Sequence, residues 1–415
     1  MRINFQTPEL QKRLGQLVAV VARKSQENIY TNVRVFSADG AIYLQGADSD
    51  STLTVKLSGA TVEPAGSIVN VLLEYKRFND IVQKLNAPTA ALTVKDDGTG
   101  AVLNSARHRS NYACQPTEPF LALAVITAVP KIEDLALDGI VLPLPGLKEQ
   151  LEQIFFAIPK VAGKFVSEAA LIEAGNGRLT VVATDGKMMA VTTVKNELLT
   201  ASTSMTVAKP ALELLAKLDG GTTVKIVDME GQFVFATEFE LLTHGKTHSE
   251  FPPYARIFPK PGAFKSKIVL KDKDALTHIL ERLNPSCFDD IKTIIFTAAG
   301  NGTELVFTAI KTDKQSTGDI FTYMGDEVAE VEVVGTDDVK FLLDISRLKQ
   351  FTDRAKFPVT ILFGSSTTIL DLHDGAGTQE DPSYHFLVLP VRDDGPTSTP
   401  TTPAAPKTKA AVAAA

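Results

Sequence analysis

Apolar residues recur at helical spacing in six segments of the chain and alternate with polar residues in several stretches between those segments. In the first segment, Leu10, Leu14 and Leu17 share one helix face. This helix is predicted to begin at Thr7-Pro8, with Thr7 as the N-cap and Pro8 at the first helical position. The six predicted helices cover residues 8–24, 73–85, 147–164, 208–218, 271–284 and 344–356.

The most regular strand pattern is Leu179 to Val194, LTVVATDGKMMAVTTV. Asp185-Gly186 separates two runs rich in Val, Thr and Met, which predicts a hairpin. Asn176-Gly177 adds a turn just upstream, so we expect a meander of at least three strands. Similar stretches lie at Val33 to Leu57 and at Ile294 to Phe321. The sequence thus repeats one pattern three times.

The repeat has a period of 133 residues. Corresponding positions are Leu14, Leu147 and Leu280 in the first helices, Val82, Leu215 and Leu348 in the second helices, and Gly98, Gly231 and Gly364 in the hairpins that follow. Chance agreement is the competing explanation, and three landmarks in phase over three copies argue against it. We therefore predict an α+β protein of three tandem domains, each with two helices packed on antiparallel sheets.

The predicted domain boundaries follow from this period. Domain 1 covers residues 1–130, domain 2 covers 131–260 and domain 3 covers 261–392. Residues 118–138 and 258–266 are predicted linkers. Residues 393–415 are rich in Thr, Pro and Ala without periodic apolar positions, which predicts a disordered tail.

Charge is distributed unevenly along the chain. The formal net charge is -7, but the six predicted helices sum to +8 and the rest of the chain to -15. One explanation is general, because Lys and Arg favour helices and stabilise helix C-termini. The other is functional, namely a basic helical surface that faces phosphates without reading bases. The charge counts alone leave both open.

The sequence lacks the common motifs of catalytic, nucleotide-binding and metal-binding sites. The sequence contains no GxxxxGK[ST], GxGxxG, HExxH, CxxC or GxSxG. His244 and His248 have helical spacing, but an intervening glycine argues against a metal site there. Asp185 precedes a turn glycine and is best explained by backbone geometry. We expect no catalytic residue, no metal and no cofactor.

The cysteines and the termini bear on compartment. Cys114 and Cys287 lie far apart in the sequence. They are therefore predicted to be free thiols in a reducing compartment. The N-terminus lacks a signal-peptide pattern, and no apolar run approaches the roughly 20 residues of a membrane span. We expect a cytoplasmic protein with no membrane partner.

Three segments within this repeat carry a family resemblance: Val181 to Val191 (VVATDGKMMAV), Glu250 to Pro259 (EFPPYARIFP) and Phe386 to Arg392 (FLVLPVR). With the threefold repeat, the chain resembles the bacterial DNA polymerase III beta subunits, or sliding clamps, over residues 1–392. The resemblance implies DNA-clamp domains that form a closed ring as a homodimer. It also implies a processivity factor that encircles duplex DNA without base specificity, and no enzyme. Implied DNA-binding residues are Lys24, Lys76, Arg77 and Lys209, with Arg23, Lys160 and Lys164 added by charge and position.

The resemblance also implies a cleft for short peptides of the replicative polymerase, the clamp loader and other clamp-binding proteins. Matching positions are Thr184, Gly186, Lys187, Met188, Met189, Pro252, Ile257, Leu389, Pro390, Val391 and Arg392. Methionine suits varied peptides because its thioether adapts to different side chains. The competing explanation is that Met188, Met189 and Leu389 are core residues.

The chain departs from the family at the cleft and at its end. Family members usually carry His-Arg-Leu in place of Lys187-Met188-Met189 and Leu in place of Ser167, and these differences bear on cleft specificity. The tail is an addition, with a hypothetical role as a tether or cover for the cleft. We expect the dimer contact around Tyr112 in domain 1 and around Leu280 and Leu283 in domain 3. The alternative function is a clamp-like paralogue that binds only proteins, without encircling DNA.

Overall fold

A computed structural model gives the structure of the chain. It describes residues 1–21, 28–123, 139–161, 163, 168–197, 199, 202–246, 250–258, 264, 266–272, 274–286, 293–298, 302–314, 320–335, 339–364, 369–374, 377–378 and 381–391. The secondary structure is α+β, and every described strand pairing is antiparallel, which confirms the predicted fold class. The closed dimeric ring and the domain boundaries stay predictions.

Within the described residues, the first repeat has nine strands and three α-helices. The strands are β1 (Arg2–Gln6), β2 (Asn32–Ala38), β3 (Ala41–Ala47), β4 (Ser51–Leu57), β5 (Thr61–Glu63), β6 (Asn70–Glu74), β7 (Thr89–Val94), β8 (Gly100–Ser105) and β9 (His108–Ala113). The helices are α1 (Thr7–Leu17), α2 (Tyr75–Val82) and α3 (Glu118–Leu123). Strands β5-β1-β7-β8-β9 form one sheet.

Eight strands and two α-helices are described in the second repeat. The strands are β10 (Ile140–Pro143), β11 (Ala169–Gly175), β12 (Arg178–Thr184), β13 (Met188–Lys195), β14 (Thr203–Ala208), β15 (Thr223–Met229), β16 (Gln232–Ala236) and β17 (Glu240–Gly245). The helices are α4 (Leu144–Ile154) and α5 (Lys209–Lys217). The predicted meander is confirmed, since β12 pairs with both β11 and β13.

The described residues of the third repeat form ten strands and two α-helices. The strands are β18 (Ser266–Leu270), β19 (Thr293–Ala298), β20 (Glu304–Lys314), β21 (Ile320–Val334), β22 (Val339–Asp344), β23 (Thr360–Phe363), β24 (Leu370–His373), β25 (Gly377–Thr378), β26 (Asp381–Pro382) and β27 (Tyr384–Val388). The helices are α6 (Ala275–Leu283) and α7 (Ile345–Thr352).

By contacts the chain forms two compact units. The first comprises residues 1–260, 353–360 and 371–388, and the second comprises residues 261–352, 361–370 and 389–415. In the first unit, β17 pairs with β4 and joins the first two repeats in one eight-stranded sheet, β10-β15-β16-β17-β4-β3-β2-β6. The first unit also holds the strand order β14-β11-β12-β13-β27, so β27, the last strand in the described residues, extends a sheet of the second repeat. The second unit has the order β18-β21-β20-β19-β22.

Several predicted helix ends are wrong. The first helix ends at Leu17 rather than residue 24, and the amides of Val18 and Val20 bond to carbonyls three residues back, in the tighter turn of a 3-10 helix. Val21 then packs onto Gly46, where an added Cβ would lie 2.6 Å from the Val21 Cγ2 atom. Thr7 is the first helical residue and makes no capping bond, since the N-cap position belongs to Gln6.

The other corrections concern residues near helix starts and one linker. Leu73 lies in strand β6 rather than in the second helix. The helix predicted after Pro145 begins at Leu144, because proline fits the first turn of a helix. Part of the predicted linker 118–138 is helix α3, whose Phe120 is buried against Ala47 and Leu72. Residues 124–138, Cys287 and the tail lie outside the described residues.

A buried histidine at the junction of the first two repeats predicts pH-dependent stability. The His244 Nδ1 atom in β17 lies 2.8 Å from the Ser51 Oγ atom in β4. Burial lowers the pKa of His244 below its ordinary value, against the opposing charges of Asp50 and Asp48. Because the unfolded chain then binds the proton more readily, stability is complete above the unfolded pKa of about 6.5 and falls as the pH falls through the folded pKa.

We therefore expect the free energy of unfolding to decrease from about pH 8 to about pH 5, and less steeply in His244→Gln. Urea denaturation followed by circular dichroism measures this slope. Burial also lowers the pKa of His373, so part of the slope remains in the variant. The exposed His108 is the matched control, and a His244→Gln slope equal to that of His108→Gln would contradict the prediction.

Candidate nucleic-acid and partner surfaces

Four helices of the first unit, α2, α1, α5 and α4, are connected to one another, and we call them the helix layer. Gln11 of α1 donates from Nε2 to the carbonyls of Val82 and Leu85 at the end of α2, both at 3.0 Å. Gln83 donates back to the Gln11 carbonyl at 2.8 Å. Helix α4 packs against α5. The remaining link, between α1 and α5, depends on a buried carboxylate.

That carboxylate is Glu240 of β17, which is 3% exposed. It accepts hydrogen bonds from Gln16 Nε2 at 2.6 Å and from Arg13 Nη1 at 3.3 Å, both on α1. It also accepts the backbone N–H of Asp219, just after α5, at 3.0 Å. Because α1 and the end of α5 touch the same side chain of one strand, they lie on the same face of the eight-stranded sheet.

The chain between α5 and β15 has no room for a side chain at Gly220. A Cβ atom on Gly220 would lie 2.4 Å from the Thr237 Oγ1 atom and 2.6 Å from the Glu240 Oε2 atom. Glycine at this position therefore lets the chain pass directly against the buried carboxylate. Lys12 and Asp219 close the junction at the surface with an ion pair of 2.7 Å.

Many of the helical charges counted in the sequence have structural partners. Arg13 is buried against Glu240 and Glu9. In the first unit Lys356 pairs with Glu149, and in the second unit Lys349 pairs with Glu281 at 2.9 Å. Fewer positive charges are therefore available to a ligand than the formal charge of the helices indicates.

The predicted DNA-binding residues that are described lie at helix starts or just beyond a helix. Lys76 and Arg77 are exposed in the first turn of α2, and Lys209 is half-buried at the start of α5. Lys160 is exposed beyond α4 and a 3-10 turn. The helix layer thus brings together α2 and α5 with their three cations. Arg23, Lys24 and Lys164 lie outside the described residues, so their prediction is untested.

The position of these cations within their helices separates the two explanations of helix charge. A positive charge in the first turn of a helix opposes the helix dipole, at a cost of about 0.3–1 kcal/mol. Lys76, Arg77 and Lys209 occupy such turns, so helix stability does not account for them. Lys84 and Lys217 are further exposed cations of the layer, which sequence reasoning did not single out. The positions of Lys84 and Lys217 on the predicted helices would have been enough to identify both as candidate cations.

The predicted cleft residues begin in the turn between β12 and β13. The Asp185 Oδ1 atom accepts the backbone N–H groups of Lys187 and Met188, both at 2.8 Å. The buried Thr184 donates its hydroxyl to the Met188 carbonyl at 2.7 Å and accepts the N–H of Gly186 at 3.1 Å. Asp185 thus holds the turn together, in agreement with its interpretation as a turn residue.

The side chains around this turn differ in exposure. Met189 is buried and opposes Leu387 of β27, whereas Met188 is half-buried and opposes Val388. Ile257 is 44% exposed, and Pro252 is half-buried in the same unit. Met189 therefore belongs to the core, while Met188 and Ile257 offer apolar surface.

The remaining cleft positions follow β27. Leu389 is 45% exposed, and the Val391 N–H donates to the Leu342 carbonyl at 2.8 Å within the second unit. Pro390 lies between them and is half-buried. Arg392 and Ser167 lie outside the described residues. Membership of all these residues in one cleft stays a prediction.

The predicted dimer residues are buried within their own chain. Tyr112 is packed edge-on against Phe78 at 5.6 Å between ring centroids and lies beneath the Arg77 guanidinium at 5.5 Å. Leu280 and Leu283 belong to the buried face of α6. A contact at these elements would use their exposed neighbours. The dimer interface itself stays a prediction.

The described part of the chain offers no grouping of three or more His, Cys, Asp or Glu side chains that could hold a metal ion. Nor does any helix in the described ranges have the length and apolar character to cross a membrane. The described geometry comprises a helix layer with cations and a hairpin with apolar neighbours.

Solved structures place this fold in the class of the bacterial DNA polymerase III beta subunits. The chain superposes on the beta subunit from Pseudomonas aeruginosa with a TM-score of 0.79 at 19% identity, over 94% of this chain and 100% of that one. The sliding clamp from Bacillus subtilis gives a TM-score of 0.79 at 17% identity, over 94% and 99%. At these identities the two superpositions establish the fold, which is the fold that the family resemblance in the sequence predicts.

Sequence relatives carry one particular name, beta sliding clamp. The clamp of Salmonella typhimurium is 23% identical over 415 residues, covering 94% of this chain and all of the relative. The clamp of Escherichia coli K12 is 23% identical over 411 residues with the same coverage. The chain matches no protein-family model.

Proposed function

We propose that this protein is a DNA sliding clamp, a processivity factor that encircles duplex DNA as a homodimer and tethers a replicative polymerase. The observation that supports this most strongly is the set of cations in the first turns of α2 and α5. These cations are disfavoured by the helix dipole and share one layer in a fold common to the beta subunits.

Diffuse attraction suits this role. Lysine and arginine that meet phosphates hold the backbone electrostatically without selecting a sequence, so the duplex remains free to move along the surface. The acidic remainder of the chain repels nucleic acid elsewhere. Retention on DNA then comes from enclosure rather than from contact energy. No step of this function requires catalysis, a metal or a cofactor.

The partner surface is proposed at the β12–β13 turn with Met188, Ile257 and Pro252, to which Leu389, Pro390, Val391 and Arg392 are candidate additions. Linear peptides of the polymerase, the clamp loader and other clamp-binding proteins are the proposed ligands. Met188 is half-buried rather than core, which supports an adaptable contact. We infer a cytoplasmic location from this replication role.

Retention on DNA circles tests encirclement. The protein is loaded onto a nicked circular plasmid by a clamp loader with ATP, and the bound fraction is followed by gel filtration after a single restriction cut. A clamp is expected to stay on the circle and to leave the linear form within the time of the run. Blocking both linear ends with a bulky DNA-bound protein restores retention.

The alternative, a clamp-like platform that binds only proteins, predicts no dependence on DNA topology. Equal dwell times on circular and linear DNA would overturn the proposed encirclement. Peptide binding at the hairpin would survive that outcome, so the same preparation distinguishes the two functions.

A further inference from the structure

A groove in the first unit lies on the second repeat, beside strands β11 and β14. Its volume is about 400 Å³, within the range of roughly 300–1,000 Å³ typical of ligand pockets. Its floor is one face of the β11–β14 pair, where Leu171 opposes Thr206 and Glu173 opposes Ser204. The opposite face of the same strands carries the buried Ile172 and Met205. The groove therefore lies on the side of the sheet that faces away from this core.

The wall of the groove is the segment 250–255, EFPPYA. Phe251 and Tyr254 are packed edge to face with ring centroids 6.5 Å apart. Tyr254 packs in turn on Phe258, at 6.1 Å. Two prolines lie between Phe251 and Tyr254, so the wall has little conformational freedom to lose when a ligand binds.

One carboxylate of the groove is fixed in place. The Tyr254 hydroxyl donates a hydrogen bond to the Glu173 Oε2 atom. Burial, and then the hydrogen bond and charge of Glu173, raise the pKa of Tyr254, so this hydroxyl remains a donor at any physiological pH. The second lining carboxylate, Glu250, is exposed at the mouth. Lys and Arg are absent from the lining.

The groove therefore combines negative charge with aromatic and aliphatic walls. A guanidinium or ammonium group on an aliphatic stem is complementary to this combination, since the stem packs on apolar surface while the cation meets carboxylates and ring faces. A planar guanidinium adds paired hydrogen bonds to a carboxylate, which favours arginine over lysine. An anion or a wholly apolar ligand would leave the negative charge of the two carboxylates uncompensated.

We propose that this groove binds an arginine side chain of a partner peptide and acts as a second contact beside the hairpin surface. Pro252 belongs to the groove wall and to the predicted cleft, which makes the two surfaces neighbours. The groove thus selects partners whose clamp-binding segment carries a nearby basic residue. The source of the peptide rests on the proposed function, whereas the charge preference of the groove does not.

Synthetic peptides test the charge preference directly. The probes are acetyl-Leu-Arg-Leu-amide and its citrulline counterpart, which has the same shape without the charge. Methyl and amide shifts of Leu171 and Thr206 in the full-length labelled protein report binding. We expect the arginine peptide to bind about tenfold more tightly, with the difference shrinking as salt is raised.

Two substitutions locate the effect. Glu173→Gln keeps an oxygen acceptor for the Tyr254 hydroxyl and removes the charge, so it should abolish most of the preference; Glu250→Gln should reduce it. Glu197→Gln, at an exposed turn outside the groove, is the matched control and should leave it intact. Equal binding of the two peptides, or an arginine preference that survives the Glu173→Gln Glu250→Gln double variant, would overturn the proposal.

Retention on circular DNA is measured on the same variants. If retention fails in the wild type while the arginine preference holds, the proposed clamp function is wrong and the groove proposal stands. If retention holds while the preference is absent, only the groove proposal is lost.

Discussion

Replacing Glu240 with alanine is expected to lower the free energy of unfolding by about 3–5 kcal/mol, because it removes one of the two carboxylates that pair with a buried guanidinium. The Arg13 guanidinium is 4% exposed and lies at the bottom of the same junction. Without Glu240 it keeps one carboxylate, Glu9, and the Asp219 N–H loses its acceptor. An orphaned buried donor adds a desolvation cost of about 1–3 kcal/mol, part of the same total.

Urea denaturation measures this loss, and circular dichroism is the probe because the chain has no tryptophan. Glu240→Gln should cost less, since its amide oxygen still accepts hydrogen bonds. Lys12→Ala is the matched control in the same junction. Its ion pair with Asp219 is half-exposed and contributes only about 0–1 kcal/mol. A loss below about 1 kcal/mol for Glu240→Ala would show that the carboxylate is not needed there.

Neutralising the three first-turn cations is expected to weaken DNA binding by two to three orders of magnitude. Each phosphate contact contributes a slope of about 0.9 in log K against log salt, or roughly eightfold between 1 M and 0.1 M salt. The triple variant Lys76→Ala, Arg77→Ala, Lys209→Ala therefore loses a factor of about 500 at 0.1 M salt. Its salt slope should fall by about 2.7.

Fluorescence anisotropy with a labelled duplex over a salt series gives both quantities. The matched control removes the same charge from exposed hairpin turns of the first unit, with Lys95→Ala, Arg107→Ala and Arg178→Ala. That control should keep the salt slope of the wild type. If both triple variants lose the same affinity, binding depends on net charge alone and the helix layer is not the DNA surface.

Local patterns predicted much of this structure. Asn176-Gly177 gave the correct turn between β11 and β12, where both residues have positive φ angles of 52° and 70°. The helical spacing of Leu147, Leu151 and Ile154 predicted helix α4, and all three are fully buried. Such features are visible because a turn or a helix face is encoded within about four residues.

The junctions between repeats could not be predicted in the same way. Glu240 lies in a strand and meets Arg13 across 227 positions of sequence. The residues that flank Glu240 and Arg13 in the sequence do not distinguish these two buried charges from exposed ones. The β4–β17 pairing likewise depends on two strands from different repeats, and alternation of apolar residues does not specify the neighbour of a strand. These contacts follow from tertiary packing, which a local pattern does not encode.

The candidate sites divide along the same line. The turn chemistry of Asp185 and the helical position of Lys76 are readable from a few neighbouring letters. The acidic groove is not, because Glu173 and Tyr254 lie 81 positions apart and EFPPYA reads as a simple loop. Its detection required the sheet face onto which that loop folds.

The pairing of β27 with β13 has a consequence for the order in which the molecule is completed. A ribosome has synthesised the whole second repeat long before it reaches Tyr384–Val388, yet the edge of β13 is paired with β27 only when that strand arrives. Until then the nascent chain presents an open apolar strand edge, a template for pairing with a neighbouring chain. A truncation that removes β27 would therefore damage the second repeat as well as the third.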